Sequence, residues 1–203
     1  MNQTQEKILE VALELFNEKG FSNVTMREIA ATADIAVGNV TYYYHQKSDM
    51  IPDLITDPVY LSRENSKTLA DFFRLISEML DTLIDKRFFF RNNDLLVYNK
   101  SFSKDYVFTQ ERVLLHLENN IAELINQGVL IPLSQEEVRS ISWFMLSQHM
   151  IWVTNTLTPF NSNVSNKSEA LLLHVYFIKH LVTKSHQEEL SVIEDELKNG
   201  RFV

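Results

Sequence analysis

The stretch that decides the fold of this 203-residue chain is TMREIAATADIAVGNVTYYYHQK, residues 25–47. Thr25 and Glu28 have the spacing of a capping box, in which the two side chains satisfy free amides at a helix start. Asp34 can form a tight turn, because aspartate tolerates the left-handed backbone region. A further helix is expected to begin near Val37. The stretch therefore predicts two short helices joined by a tight turn.

The second of these helices carries polar groups suited to the major groove of DNA. Asn39 can form two hydrogen bonds with adenine, and Thr41 can bind a phosphate or touch a thymine methyl group. Gly38 lets the backbone approach a duplex closely. Hydroxyls and cations nearby can bind phosphates and fix the register. On these grounds the expected DNA contacts are Arg27, Gly38, Asn39, Thr41, Tyr42, Tyr43 and Lys47.

Three consecutive tyrosines follow Thr41, and they cannot all face one side of a helix. Tyr44 is in phase with Val40 and is expected in the core. For Tyr42 and Tyr43 both interpretations stay open, with DNA contact favoured over the core.

The charge balance counts against a nucleic-acid partner. The net charge is −8, and residues 1–50 contain seven Asp/Glu against four Lys/Arg, namely Lys7, Lys19, Arg27 and Lys47. A DNA-binding domain of this composition must use hydroxyls and backbone amides for many of its phosphate contacts.

Composition indicates an all-α protein, because four glycines and four prolines supply few of the turns that strands need. The absence of cysteine excludes disulfides, thiolate zinc sites and cysteine nucleophiles. Residues 1–7 lack a secretory signal. The longest uncharged run, residues 140–166, is interrupted by polar residues and falls short of a membrane span. A cytoplasmic protein with no membrane partner is expected.

Residues 141–153 and 170–182 are apolar on nearly every predicted helix face. A surface helix in a monomer would show a polar face, so these helices need burial on two sides. One side fits the domain core and the other a second subunit. The alternative is that both helices lie inside a large monomer, but too few residues remain to cover them. A homodimer is therefore predicted.

The N-terminal pattern resembles that of the TetR (tetracycline-repressor-type) transcriptional regulators. The matching residues are Ile8, Leu9, Ala12, Leu15, Phe16, Gly20, Phe21, Thr25, Arg27, Ile29, Ala30, Gly38, Val40, the aromatics after it, Lys47 and Met50. The resemblance implies a homodimer that binds a palindromic double-stranded DNA operator, usually as a repressor. It also implies a ligand pocket in a variable helical C-terminal domain. By position it adds Thr25 and Val37 to the expected DNA contacts.

Four positions depart from the pattern of this family. Asp34 replaces the usual glycine of the turn, and Ala36 replaces a serine cap, which is typically worth ~1 kcal/mol. Thr41 stands at a position where tyrosine is usual, and Gln5 stands where a phosphate-binding arginine is common.

The expected organisation is a three-helix helix-turn-helix DNA-binding domain over residues 1–57 and a larger helical ligand-binding and dimerisation domain over 58–203. A small apolar or aromatic ligand would suit a pocket lined by aromatic and Met side chains. The candidate lining residues are Phe72, Phe73, Met79, Phe89, Phe90, Tyr98, Trp143, Met145, His149 and Trp152. For each of them a plain core position is the alternative.

Catalysis and metal binding are not expected, and no cofactor is predicted. His174, His180 and His186 are six residues apart, which does not place them on one helix face as a chelating pair. No nucleophile elbow or phosphate-binding loop is present. Two alternatives to a regulator remain: a helical protein–protein adaptor that has lost DNA binding, and a helical enzyme acting on a lipid-like ligand.

Overall fold

The computed structural model describes residues 2–54, 64–91, 100–154 and 167–202. Within these ranges the regular structure is helical, with one isolated bridge between Leu130 and Val182. The helices are α1 (Gln3–Lys19), α2 (Met26–Thr32), α3 (Val37–Tyr43), α4 (Ile51–Leu54), α5 (Leu69–Asp85), α6 (Arg87–Arg91), α7 (Lys100–Asn126), α8 (Gln135–Thr154), α9 (Lys167–Ile178) and α10 (Gln187–Lys198). Single 3-10 turns precede α2, α4 and α10 at Phe21–Asn23, Lys47–Met50 and Lys184–His186. The predicted all-α fold is confirmed.

The chain divides into two compact units. The first comprises residues 1–57 and 84–106, and the second comprises residues 58–83 and 107–203. The first unit thus contains the predicted helix-turn-helix range together with a later segment that the sequence had assigned to the C-terminal domain.

The core of the first unit forms around α1, whose buried residues recur at helical spacing on one face. That face consists of Ile8, Leu9, Ala12, Leu15 and Phe16. Gly20 ends α1 with a φ of +82° and a ψ of 144°, a conformation that favours glycine. Phe21 then turns back onto Phe16, with ring centroids 4.9 Å apart.

The segment that begins at residue 84 completes this core. Phe88 and Phe89 are buried in it, and the Phe88 ring lies 5.3 Å from that of Phe16. The Asn17 amide joins α1 to the same segment: its Nδ2 donates to the Asp85 carbonyl at 2.6 Å, and its Oδ1 accepts from the Phe88 amide at 2.9 Å.

The second unit has a separate core to which α5 contributes a continuous buried face. That face consists of Leu69, Phe72, Phe73, Leu75, Ile76, Met79, Leu80 and Leu83. Before α8, Ser134 and Glu137 form a reciprocal capping box: the Ser134 amide donates to the Glu137 carboxylate at 2.7 Å, and the Glu137 amide donates to Ser134 Oγ at 3.3 Å. Within the described ranges, no helix has the length and apolar character to cross a membrane.

Candidate nucleic-acid interface

The start of α2 is capped by Thr25, whose Oγ1 accepts from the Glu28 amide at 3.2 Å. The Glu28 carboxylate pairs with Lys19, 2.6 Å from its Nζ, and does not show the reciprocal bond expected of a capping box. This pairing lowers the pKa of Glu28 and raises that of Lys19. Half of the predicted capping box is therefore present, and the other half is replaced by an ion pair.

The tight turn between α2 and α3 is confirmed at Asp34, which has a φ of +52°. The Ile35 amide donates to the Ala30 carbonyl at 2.9 Å across this turn. Ala36 occupies the N-cap position of α3 and makes no side-chain cap hydrogen bond. As predicted, α3 begins without the stabilisation that a polar cap would give.

Helix α3 has one buried face and one open face. Val40 is fully buried and Tyr44, which follows the helix, is 3% exposed, so the predicted core position of Tyr44 is confirmed. Val37 and Tyr42 are exposed to 40% and 79%, and Asn39 is exposed beside them. A Cβ at Gly38 would meet no atom within 4 Å, which shows that the space beside it is open. The start of α3 therefore presents its backbone and Asn39 outward.

Thr41 and Tyr43 are half-buried and already make hydrogen bonds within the first unit. Thr41 Oγ1 lies 3.1 Å from the carbonyls of both Val37 and Gly38. The Tyr43 hydroxyl accepts from Nδ2 of Asn2 at 2.9 Å. Both hydroxyls keep lone pairs or a proton for a further partner.

A partly buried hydroxyl network ties α3 to α1 and α4. The Tyr44 hydroxyl donates to Asp53 Oδ2 at 2.7 Å and accepts from Gln5 Nε2 at 3.0 Å. Burial is the main cause that raises the pKa of Tyr44 to about 12, so the hydroxyl keeps its proton at neutral pH. The sequence treated Gln5 only as a substitute for an arginine, and this structural role was missed because its partner lies 39 residues away.

Lys47 does not extend freely from its 3-10 turn. Its Nζ donates to the carbonyls of Phe21, Ser22 and Val24 at 2.5, 3.2 and 2.8 Å. The same Nζ lies 4.5 Å from the centroid of the Phe21 ring. Burial lowers the pKa of this ammonium group.

These contacts reduce the positive charge available for a polyanion. Of the four Lys/Arg in residues 1–50, Lys19 is paired with Glu28 and Lys47 is bound to carbonyls. Lys7 and Arg27 are exposed, and Arg27 lies on α2. The predicted shortage of positive charge is thus accentuated by the folding of the first unit.

The predicted ligand-lining residues separate into distinct environments. Phe72, Phe73, Met79 and Met145 lie in the core of the second unit at 0–1% exposure, and Trp152 packs against that core. Phe89 and Phe90, which the sequence placed in a C-terminal pocket, lie instead in and against the core of the first unit, because the segment after residue 84 folds onto α1. Trp143 is 52% exposed on α8. Tyr98 lies outside the described residues.

His149 and His174 form a pair that the sequence did not predict, because His174 was considered with His180 and His186, and His149 as a ligand-lining residue. Both side chains are buried, at 1% and 0% exposure, and their Nε2 atoms lie 2.7 Å apart. Both Nδ1 atoms are buried, and neither has a hydrogen-bond partner among the described residues. Burial lowers the pKa of both rings, that of His174 to about 4.

The apolar helices α8 and α9 each have a buried and an exposed apolar face. The buried faces include Leu146, Val153, Leu171 and Val175. The exposed faces, named here the α8–α9 apolar face, comprise Trp143, Phe144, Ile151, Leu173 and Tyr176, which are 40–52% exposed. The ring of Phe144 stacks on that of Phe177 at 4.3 Å.

Cavities in the described part of the second unit are open and partly polar. One of about 250 Å³ lies beside Ser66 and Asn120, and one of about 370 Å³ lies between Leu133 and Phe177. Neither is lined by a predicted ligand residue. Among the described residues, no group of three or more His, Asp or Glu side chains could hold a metal ion.

Comparisons with known proteins agree with this geometry. Residues 8–54 match the family model "Bacterial regulatory proteins, tetR family". The chain is 43% identical over 54 residues to the probable HTH-type transcriptional regulator YttP of Bacillus subtilis (strain 168), a match covering 27% of this chain and 26% of the relative. It thus spans about a quarter of the length of that curated relative.

Solved structures match over nearly the whole chain. A TetR-family transcriptional regulator from Marinobacter aquaeolei VT8 is similar with a TM-score of 0.82 and 24% identity, over 97% of this chain and 99% of that one. The SmeT–triclosan complex is similar with a TM-score of 0.61 and 14% identity, over 90% and 93% of the two chains. Residues 8–54 of this chain therefore match the model of the tetR family of bacterial regulatory proteins, and the chain shares its helical fold with a solved TetR-family regulator.

Proposed function

We propose that this chain is a ligand-responsive transcriptional repressor that binds a palindromic DNA operator as a homodimer. The observation that carries the proposal is the outward-facing start of α3. Val40 and Tyr44 anchor this helix in the core of the first unit, while Gly38, Asn39 and Tyr42 remain open to a partner. A short helix supported from behind and open at its start is what major-groove reading requires.

The side chains divide into base-reading and phosphate-binding roles. Asn39 is proposed to bind adenine through two hydrogen bonds, and Val37 to make an apolar contact with a thymine methyl group. Arg27 on α2 is proposed to bind a phosphate, with Thr25, Thr41, Tyr42 and Tyr43 adding hydroxyl contacts. Gly38 permits close approach of the backbone. This division follows the general rule that phosphate contacts position a protein and base contacts give specificity.

The α8–α9 apolar face supports the homodimer. Its members are large apolar residues on two helices, and each helix already buries its opposite face in the core of the second unit. An exposed apolar surface of this kind marks an interaction site. Two copies of the same face would cover each other about a two-fold axis. A dimer with half-sites one duplex turn apart, roughly 34–36 Å, would match a palindrome.

The ligand is proposed to bind in the core of the second unit, which must open to admit it, because the predicted lining residues in that core line neither of the two cavities described above. Phe72, Phe73, Met79 and Met145 supply aromatic and thioether surface, and the unpartnered Nδ1 atoms of His149 and His174 would give such a ligand a polar anchor. The structurally similar SmeT forms a complex with triclosan. This apolar aromatic compound is therefore a suitable first probe in a thermal-shift assay, since a ligand that binds the folded state raises its apparent stability.

The central experiment is a gel shift with the DNA upstream of the chain's own gene. Wild-type protein should bind that DNA in preference to an unrelated duplex. Asn39→Ala should weaken specific binding by about 1–3 kcal/mol per half-site, because one bidentate base contact is lost. Asn126→Ala makes the same chemical change at an exposed site on α7 and serves as the matched control. Equal binding to specific and unrelated DNA would contradict the proposal and favour the adaptor alternative.

Sedimentation tests the dimer separately. Leu173→Glu introduces a charge into the α8–α9 apolar face and should yield monomers. Leu115→Glu introduces the same charge at another exposed leucine, on α7, and should leave the dimer intact. A monomeric wild-type protein at micromolar concentration would exclude the dimer.

A further inference from the structure

We propose that Lys47 is an internal clamp that holds the loop before α2, and that its ammonium group is not a DNA phosphate contact. The proposal concerns a positioning residue. Its DNA-binding part rests on the proposed function, whereas its structural part does not.

The number of hydrogen-bond donors is the first argument. A lysine ammonium group has three N–H donors and no acceptor. Three carbonyl oxygens, of Phe21, Ser22 and Val24, lie within hydrogen-bond distance of Lys47 Nζ. All three donors are therefore used within the protein, and a phosphate could bind only by displacing a carbonyl.

The surroundings of the ammonium group give the second argument. Lys47 is half-buried, and the face of the Phe21 ring lies 4.5 Å from Nζ. That ring is itself held against Phe16 in the core. Carbonyl dipoles and an aromatic face both stabilise a cation, which offsets the cost of partial burial. Withdrawal of Lys47 toward DNA would forfeit both kinds of contact.

The two ends of the clamp are fixed independently. At the lysine end, the Gln46 amide donates to Asp49 Oδ2 at 3.1 Å, which sets the 3-10 turn that carries Lys47. At the other end, Val24 is buried and immediately precedes Thr25, the N-cap of α2. The clamp therefore sets the position from which α2, with its exposed Arg27, leaves the loop.

Lys47→Arg separates the two possible roles. Arginine keeps the charge and binds phosphate well, but its donors form a planar fork and cannot converge from one atom on three carbonyls. The clamp predicts that Lys47→Arg lowers the melting temperature of the full-length protein by several degrees. It also predicts severalfold weaker binding to a duplex that the protein has selected from a randomised pool. Wild-type stability and wild-type binding for Lys47→Arg would overturn the clamp.

Salt dependence gives a second readout. Each phosphate contact that is lost reduces the slope of log K against log salt by about 0.9. Arg27→Met should reduce the slope by roughly that amount per subunit, whereas Lys47→Met should weaken binding at every salt concentration and leave the slope near its wild-type value. A slope reduced by Lys47→Met as much as by Arg27→Met would overturn the proposal.

Failure of the proposed function remains distinguishable from failure of the clamp. If the wild-type protein selects no duplex, the function is wrong, and the clamp is judged from stability alone. A Lys47→Met protein that melts at the wild-type temperature would then overturn the clamp, and a lowered melting temperature would support it.

Discussion

Each of the two units of this chain contains a polar cluster, partly buried in the first unit and fully buried in the second, and the clusters differ in how completely their hydrogen bonds are made. In the first unit the Tyr44 hydroxyl both donates, to Asp53, and accepts, from Gln5. In the second unit His149 and His174 bond to each other through Nε2, and both Nδ1 atoms lack a partner within the described part of the chain.

The possible tautomers of the two histidines show which hydrogen bonds the pair leaves unmade. If one Nε2 donates to the other, the donor ring has a bare Nδ1, and the acceptor ring must carry its proton on Nδ1. One buried acceptor and one buried donor therefore stay unsatisfied, at about 1–3 kcal/mol each. The Tyr44 network is complete, and it ties α3 to its neighbouring helices. The histidine pair is incomplete, so the stability of the second unit should respond to protonation of the rings and to any group that binds a free Nδ1 atom.

The largest expected effect is a loss of stability in the first unit, which would make its packing less complete than that of the second unit. Phe88→Ala removes a buried ring that packs on Phe16, and such a truncation costs roughly 3–5 kcal/mol. Hydrogen exchange of α1 and α3 amides should accelerate strongly, while α9 amides keep their wild-type rates. Phe88→Leu is the control and should cost less, because it leaves a smaller cavity. Unchanged exchange in α1 would show that Phe88 does not belong to this core.

Phe88 also marks the limit of what the sequence predicts. Local features could be read from neighbouring residues: the helical spacing of Ile8 and Phe16, the turn at Asp34, and the inward phase of Tyr44. The packing of Phe88 on Phe16 joins residues 72 positions apart, and neither local pattern shows it. The predicted domain boundary at residue 57 omitted the later segment for the same reason.

In the candidate site, too, features set by neighbouring residues could be predicted, whereas contacts with residues distant in the sequence could not. The exposed start of α3 follows from the phase of Val40 and could be predicted. The partners of Lys47 could not, because they are backbone carbonyls, which every residue has and no sequence pattern distinguishes. The Glu28 carboxylate was assigned to its own helix start, but a cation nine residues away binds it instead.

Acidification should lower the free energy of unfolding through the buried histidine pair. Well above pH 6.5 both rings are neutral in the folded and unfolded chains. As the pH falls below 6.5, the unfolded chain takes up protons, whereas folded His174 takes one up only near pH 4. The free energy of unfolding therefore falls across this window, by on the order of 3 kcal/mol from His174, and His149 acts in the same direction. Urea unfolding followed by tryptophan fluorescence at a series of pH values measures the slope.

The double variant His149→Leu/His174→Leu is the control for this prediction. It removes both titrating rings and both unsatisfied atoms, so the stability of the second unit should depend less steeply on pH between 6.5 and about 4. His116, whose pKa burial also lowers, stays in both proteins and accounts for a residual slope. If the double variant keeps the full wild-type slope, other groups carry the acid sensitivity.

The smallest expected effect tests the completed network of the first unit. Tyr44→Phe keeps the ring in the core but leaves Asp53 and Gln5 without their shared partner, which should cost about 1–2 kcal/mol. The loss should appear in hydrogen exchange of α3 and in weaker DNA binding, because the hydroxyl ties α3 to both α1 and α4. Tyr42→Phe removes the hydroxyl of a residue that is 79% exposed and should leave stability unchanged. If both variants unfold with wild-type stability, the Tyr44 network contributes no more than a solvated hydroxyl does, and the contrast between the two clusters disappears.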